Sequence, residues 1–334
     1  MSLANTIRRN GQETQWTQNL SETSETNKKL YRGIGAAVDA VVSEDDIDGL
    51  LQKAKLDWEV HTTDGIKFGE NYQFQSSRDR VVYRDNPNKP GEVIHLDTVS
   101  LRWKPFQNRD IVKSFVTFCE KSQLVMERLG FLNQGRTVFC VAKTNESFTL
   151  AGGDVVEGKL LFTNSHESGR GAKVDLMAPR MVCTNQMVLP VRLAGQVISH
   201  TSAYSSARVM LVLEEAKTGF EKFKEDAEFL ASTPVKDEEA HALIIKILGD
   251  KDKSLDEQPR AVQQVLELYQ GKGKGSEMLS AYHTAWGLAQ AVTEYQSHHS
   301  TQRGGNAGHI NSLWLGSKRN KSEQALKQIV SAFR

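Results

Sequence analysis

The chain has 334 residues, of which 39% are hydrophobic and 25% charged, and its formal net charge is +1. That composition belongs to a globular chain able to bury a sizeable core, as one large domain or two ordinary ones. It excludes a globally basic, histone-like binder, so any nucleic-acid contact has to come from a local patch.

Residues 1–30, rich in Ser, Thr, Asn, Gln and charge, are expected to form a loose arm. Ser43-Glu44-Asp45-Asp46 then has the form of a capped helix start, with Ile47, Leu50, Leu51 and Ala54 following on one face. Trp58 to His61 opens an alternating stretch. Tyr72 to Phe74 and Arg80 to Arg84 continue it, and the turn signal DNPNKPG leads into Val93 to Trp103, which completes an expected antiparallel set. Within that last strand, strict alternation puts Ile94, Leu96 and Thr98 on one face and His95, Asp97 and Val99 on the other. From Asn108 to Leu132, apolar residues three to four apart predict one long helix.

Strands are expected again at Thr137 to Ala142, Gly158 to Asn164, Ala172 to Met177 and Met181 to Cys183, while Ser206 to Glu214 fits either a strand or the start of a helix. After about Glu215 the chain reads as helical: an apolar helix at Ala242 to Leu248, a flexible joint at GKGKGS (Gly271 to Ser276), a helical repeat from Leu279 to Tyr295, a loop from His298 to His309, and a last helix from Lys321 to Phe333. The expected architecture is α+β: an antiparallel sheet with a long packing helix, and a helical C-terminal part. It divides into an arm (1–30), an α+β core domain (31–215) and a helical region (216–334).

The cysteines, Cys119, Cys140 and Cys183, lie in apolar runs, form no CxxC pair and are odd in number. They predict buried, reduced thiols rather than a disulfide framework. The N-terminal residues hold no apolar signal core, and no apolar run approaches the roughly 18 residues of a membrane span, so no membrane partner and a cytoplasmic location are expected.

Motifs with chemical potential are few. GKGKGS lacks the Lys-Ser/Thr step of a phosphate loop, and no strand is expected before it. His283, His298, His299 and His309 have no nearby cysteine and no chelating spacing, so no metal site is expected. The loop NSHESGRG, however, gathers Asn164, His166, Glu167 and Arg170 between two glycines. It is compatible with a turn that satisfies its own backbone, with a ligand-contacting loop, or with acid–base catalysis by His166 and Glu167, joined by Cys183 or His200 as partners in one pocket. In SLRWKPFQNR, Arg102, Lys104 and Arg109 interleave with Trp103 and Phe106. Such a pattern suits single-stranded nucleic acid, cations meeting phosphates and a ring meeting a base face; it equally describes a core tryptophan between solvated cations. Arg136 and Arg170 are the next candidates for the same surface.

Several segments in this order, Tyr31 to Gly35, Lys55 to Val60, Val99-Ser100, Phe106-Gln107-Asn108, Phe162 to His166, Arg180 to Asn185, Thr284-Ala285-Trp286 and Val292 to Tyr295, resemble the phage/plasmid-like protein family, domain of unknown function 932. Tyr31-Arg32 and Glu167 depart from that family's usual aromatic–histidine pair and aspartate. The resemblance implies a phage, plasmid or other mobile-element setting and names no activity. Strands followed by a helix over residues 72–132 are also similar in topology to single-strand annealing proteins of the Rad-fifty-two type. That likeness implies a homo-oligomeric ring or filament whose groove holds single-stranded DNA for annealing or recombination, with no covalent chemistry and no cofactor. The expected contacts are Arg102, Lys104 and Arg109 to phosphates and Trp103 to a base, with Arg136 and Arg170 in support. An enzyme built on His166 and a non-enzymatic host-interaction protein are the alternatives.

Overall fold

The structure, a computed structural model, describes residues 34–76, 78–182, 188–189, 197–302 and 304–334. The expected N-terminal arm and Cys183 lie outside the described residues. In chain order the strands are β1 (Ala36–Ala40), β2 (His61–Thr62), β3 (Lys67–Phe68), β4 (Phe74–Gln75), β5 (Asp79–Asp85), β6 (Val93–Ser100), β7 (Val125–Leu132), β8 (Thr137–Leu150), β9 (Asp154–Ser165), β10 (Gly171–Met177), β11 (Val188–Leu189) and β12 (Val197–Ser199). The α-helices are α1 (Ile47–Lys53), α2 (Asn108–Lys121), α3 (Ser206–Ser232), α4 (Asp237–Leu248), α5 (Arg260–Glu267), α6 (Ala285–Glu294), α7 (Gly305–Leu315) and α8 (Ser317–Phe333). The molecule is α+β, with its helical part at the C-terminal end.

The main sheet runs β1-β7-β8-β9-β10-β11, with β12 also paired to β10, and every pairing in it is antiparallel. Both faces of its centre are covered. Val138, Cys140 and Ala142 face a core with Phe115, Cys119 and Phe220 of α2 and α3, whereas Phe139 and Val141 face Ile310, Leu313 and Trp314 of α7. Double coverage explains why VFCVA reads as an unbroken apolar run. Cys119 and Cys140 are free and buried, and burial pushes the Cys119 thiol up to about 12, so both are inert as nucleophiles.

A smaller sheet, β2-β5-β6, encloses Val60, Val82, Leu96, Val99 and Trp103, and the hairpin β3-β4 extends from it as an arm. Strict alternation fails in β6. The register slips between Val82 and Tyr83, which pair with Asp97 and His95, so Leu96 and Val99 both reach the core.

The predicted helix over Asn108–Leu132 is half right. It stops at Lys121, Gln123 takes a left-handed φ of 52°, and Val125–Leu132 is a strand. A bulge between Met126 and Arg128 leaves Met126, Leu129 and Leu132 buried at spacings of three, and that imitates helical period. Other expectations shift similarly. Ser206–Ser232 is a long helix whose Ser205 side chain caps the Arg208 amide. Met181 and Val182 lie in a turn rather than a strand. The repeat from Leu279 to Tyr295 becomes helical only at Ala285, leaving Leu279 and Tyr282 exposed, and His309 sits in α7 rather than in a loop.

The helical part is built into the same core as the sheet. Two buried charge clusters rivet it there. Asp154 of β9 accepts from Arg180, from the Ser280 hydroxyl (2.8 Å) and from the Trp286 indole N–H (3.1 Å), and Arg180 donates onward to the Gly275 carbonyl. Asp175 of β10 holds Arg319 of α8 through two bonds of 2.8 and 2.6 Å. The glycine-rich segment 271–276 is no loose joint: the Lys274 amide donates to both oxygens of buried Glu294, and a Cβ on Gly273 would lie 3.1 Å from that carboxylate.

Candidate functional site

β9 ends in Phe162-Thr163-Asn164-Ser165, and His166 follows with its backbone amide bonded to the Arg136 carbonyl. The His166 side chain is 0% exposed. Its Nε2 faces Asn108 Oδ1 at 3.3 Å and its Nδ1 faces Asn164 Nδ2 at 3.4 Å. Asn108 gives its own amide hydrogens to the carbonyls of Leu56 (3.2 Å) and Trp58 (3.0 Å), so its Oδ1 is an acceptor. His166 therefore carries its proton on Nε2 and accepts at Nδ1. Burial, with the nearby His200 and Arg84, pushes its pKa down to about 3, and the ring is neutral at physiological pH.

The neighbouring Gln107 extends this polar spine. It takes the Val60 amide on its side-chain oxygen (2.9 Å) and returns a bond to the Val60 carbonyl (3.0 Å). The segments around Trp58, Asn108 and His166 are thus a single hydrogen-bonded unit joining the small sheet, the start of α2 and the main sheet. His200 completes the layer. It stacks on Trp103 (4.5 Å) and Phe106 (4.1 Å), its Nδ1 donates to the Lys104 carbonyl, and the Lys104 amide donates back to the His200 carbonyl.

Of the catalytic grouping His166, Glu167 and Cys183, Cys183 lies outside the described residues and the other two side chains point apart. Glu167 turns to the Ser165 hydroxyl and to Arg170 (3.1 Å), away from the enclosed ring of His166. Trp103 is 4% exposed, packed in the small sheet's core with one face on His200, and has no free face for a base. Arg109 is clasped by Asp48 at the rim of a cleft of about 300 Å³ that Asp57, Glu59 and Asp110 also line, an acidic setting that disfavours phosphate.

Arg102 and Lys104 are exposed and Arg136 is half-buried, all three without an ion pair among the described residues, and Arg170 is exposed beside Glu167. Backbone pairing brings the segments that carry three of these cations to one edge. Lys104 is bonded to His200, Ser199 pairs with Gly171, and Gly171 follows Arg170. The Leu101 amide donates to the Arg78 carbonyl, which brings exposed Arg78 alongside Arg102.

Sequence reasoning missed the aromatic residues of the small sheet and its arm. His61, Tyr83 and His95 form a cross-strand row on the small sheet, and Phe68 and Phe74 stack at 5.5 Å on the arm, 53% and 54% exposed, near Tyr72 at 72%. Exposed aromatics alternating with Gln and Asn over residues 68–75 were the available signal.

Fold and site together define an α+β chain with antiparallel sheets and a helical C-terminal part; among the described residues no helix is long and apolar enough to cross a bilayer, and no group of His, Cys, Asp or Glu is arranged to hold a metal. The chain belongs to the family described as Domain of unknown function (DUF932), whose model it matches over residues 95–328. No curated protein and no solved structure matches it, so the annealing-protein likeness has no structural support.

Proposed function

We propose that the chain is a non-enzymatic single-stranded-DNA-binding protein of a phage, plasmid or other mobile element, acting as a homo-oligomer in the host cytoplasm in annealing or recombination. The observation that carries this reading is the edge formed by the segments of Arg78, Arg102, Lys104 and Arg170, of which Arg102 and Lys104 have no ion pair among the described residues, together with the exposed Phe68 and Phe74 of the arm. Cations track a phosphate backbone while rings accept base faces, and no sequence is read. Enclosure of His166 and the turning away of Glu167 favour it over an enzyme.

A second reading rests on the same arm. Phe68, Tyr72 and Phe74 together suit an apolar protein partner, with host interaction as the result.

Binding of a fluorescent single-stranded oligonucleotide across a salt series decides between them. The nucleic-acid reading expects affinity that falls steeply with salt, and that drops on Arg102→Ala with Lys104→Ala and on Phe68→Ala with Phe74→Ala. Absence of binding at low salt sinks it and leaves the protein-partner reading.

A further inference from the structure

Arg84 of β5 is a buried cation with no counter-ion among the described residues. Its side chain is 4% exposed, and its guanidinium carbon lies 4.5 Å from the Trp58 ring centre and 5.3 Å from that of Phe131, wedged against both rings. Nε donates to the Gln134 carbonyl at 2.9 Å. The two Nη groups have no acceptor among the described residues, and they are not sealed off, since neither belongs to the fully enclosed polar atoms that lack a partner. Among the described residues no carboxylate pairs with Arg84, although Asp57, Glu59 and Asp85 are close along the chain or around the same tryptophan.

The surroundings hold this arrangement firmly. The Trp58 indole N–H is fixed to the Lys55 carbonyl at 3.0 Å, and the ring packs edge-on to Phe131 and to neutral His166. Asn133, Gln134 and Gly135 all have left-handed φ values of 51°, 60° and 103°, which turn the Gln134 carbonyl toward Nε. A Cβ on Gly135 would meet Arg84 Nε and Trp58 Cζ2 at 2.9 Å, so a glycine there keeps the slot open. Three consecutive left-handed residues are a costly backbone, the kind that persists at ligand sites.

An arginine always stays charged, and an unpaired buried charge is strongly unfavourable. A planar fork packed against two rings and bonded through Nε to a carbonyl leaves its Nη edge for two parallel hydrogen bonds, the geometry that oxyanions match. We propose that Arg84, with the Trp58–Phe131 wedge and the 133–135 turn, forms a site for one phosphate oxyanion, supplied either as free phosphate or by a nucleic-acid chain. The site does not depend on the function proposed above, because inorganic phosphate alone is a sufficient ligand.

The test uses the full chain and three probes at constant ionic strength: inorganic phosphate, a nucleoside monophosphate and a single-stranded oligonucleotide. Saturable binding is read by calorimetry and by the Arg84 side-chain resonances in nitrogen-15 spectra. Inorganic phosphate is expected to bind, to shift the Arg84 resonances, and to bind about ten-fold or more weakly to Arg84→Lys, which keeps the charge but loses the fork. Arg84→Met is expected to abolish binding, and Arg84→Lys together with the wild-type spectra keeps the test decisive if that variant fails to fold. Phosphate binding without oligonucleotide binding leaves this site standing while the nucleic-acid function falls. Equal oligonucleotide and phosphate binding by wild type and Arg84→Lys, or unmoved Arg84 resonances at saturation, overturns the site whatever becomes of that function.

Discussion

Replacing His166 by Gln separates a structural histidine from a catalytic one. In the folded chain the ring is enclosed and neutral, with its pKa pushed down from an ordinary 6.5 to about 3. Between those values the unfolded chain binds a proton that the folded chain refuses. The stability this site supplies is therefore complete above about pH 6.5 and is lost as pH falls toward 3. Integrating the proton uptake gives a loss of about 2 kcal/mol between pH 7.5 and pH 5. Gln keeps a donor for Asn108 and an acceptor for Asn164 but does not titrate, so the variant is expected to be less stable at pH 7.5 by about 1–3 kcal/mol. Its disadvantage should shrink by about 2 kcal/mol on going to pH 5. His200, whose pKa is also lowered by burial, is present in both proteins and cancels in the difference. Urea unfolding at four pH values measures it. A wild-type-minus-variant difference that does not change with pH refutes the neutral, enclosed histidine. Loss of DNA binding with no change in stability refutes the structural role.

Further consequences follow from the buried charges and from one glycine. Asp154→Ala removes the buried carboxylate that Arg180, Ser280 and Trp286 share, so it should cost about 3–5 kcal/mol in chemical denaturation; a loss under 1 kcal/mol would mean that the cluster does not tie the helices to the sheet. Arg319→Leu should be strongly destabilising alone and partly rescued by adding Asp175→Leu, a coupling that a double-mutant cycle reads and that additive losses would contradict. Gly35→Ala puts a Cβ 2.3 Å from the Leu129 carbonyl at a φ of 60°, and should lower stability by about 2 kcal/mol or more; an unchanged melting temperature would show that β1 does not pack as described.

Much of the fold was legible because local pattern and final environment agree. Ser43-Glu44-Asp45-Asp46 starts a helical segment, RVVYR and VIHLDTVS pair across the DNPNKPG turn, and the buried thiols Cys119 and Cys140 lie in the apolar runs that predicted them. The misses have a common cause. In β6 and β7 a bulge changes which residues face the core, so spacing along the chain no longer reports the face, and β7 takes on the period of a helix. Leu279 and Tyr282 keep helical spacing with Trp286 but lie in turns, because the segment before Ala285 is shaped by bonds to Asp154 and the Ala151 carbonyl.

For the site, the residue types carried the chemistry but not the assignment. NSH, FQN and the tryptophan segment were visible as separate motifs; that they form one hydrogen-bonded spine depends on bringing Trp58, Asn108 and His166 together across the fold. Basic and aromatic residues in SLRWKPFQNR suggested a binding surface. Packing buries Trp103, an ion pair holds Arg109, and Arg102 and Lys104 remain exposed. The sequence by itself determined the α+β class, the antiparallel strands and the buried thiols, since these depend on local periodicity and hydrophobicity. Only the tertiary structure decided that His166 is enclosed and that Arg84 is buried with no counter-ion among the described residues, because burial and charge compensation belong to neighbours brought together from distant parts of the chain.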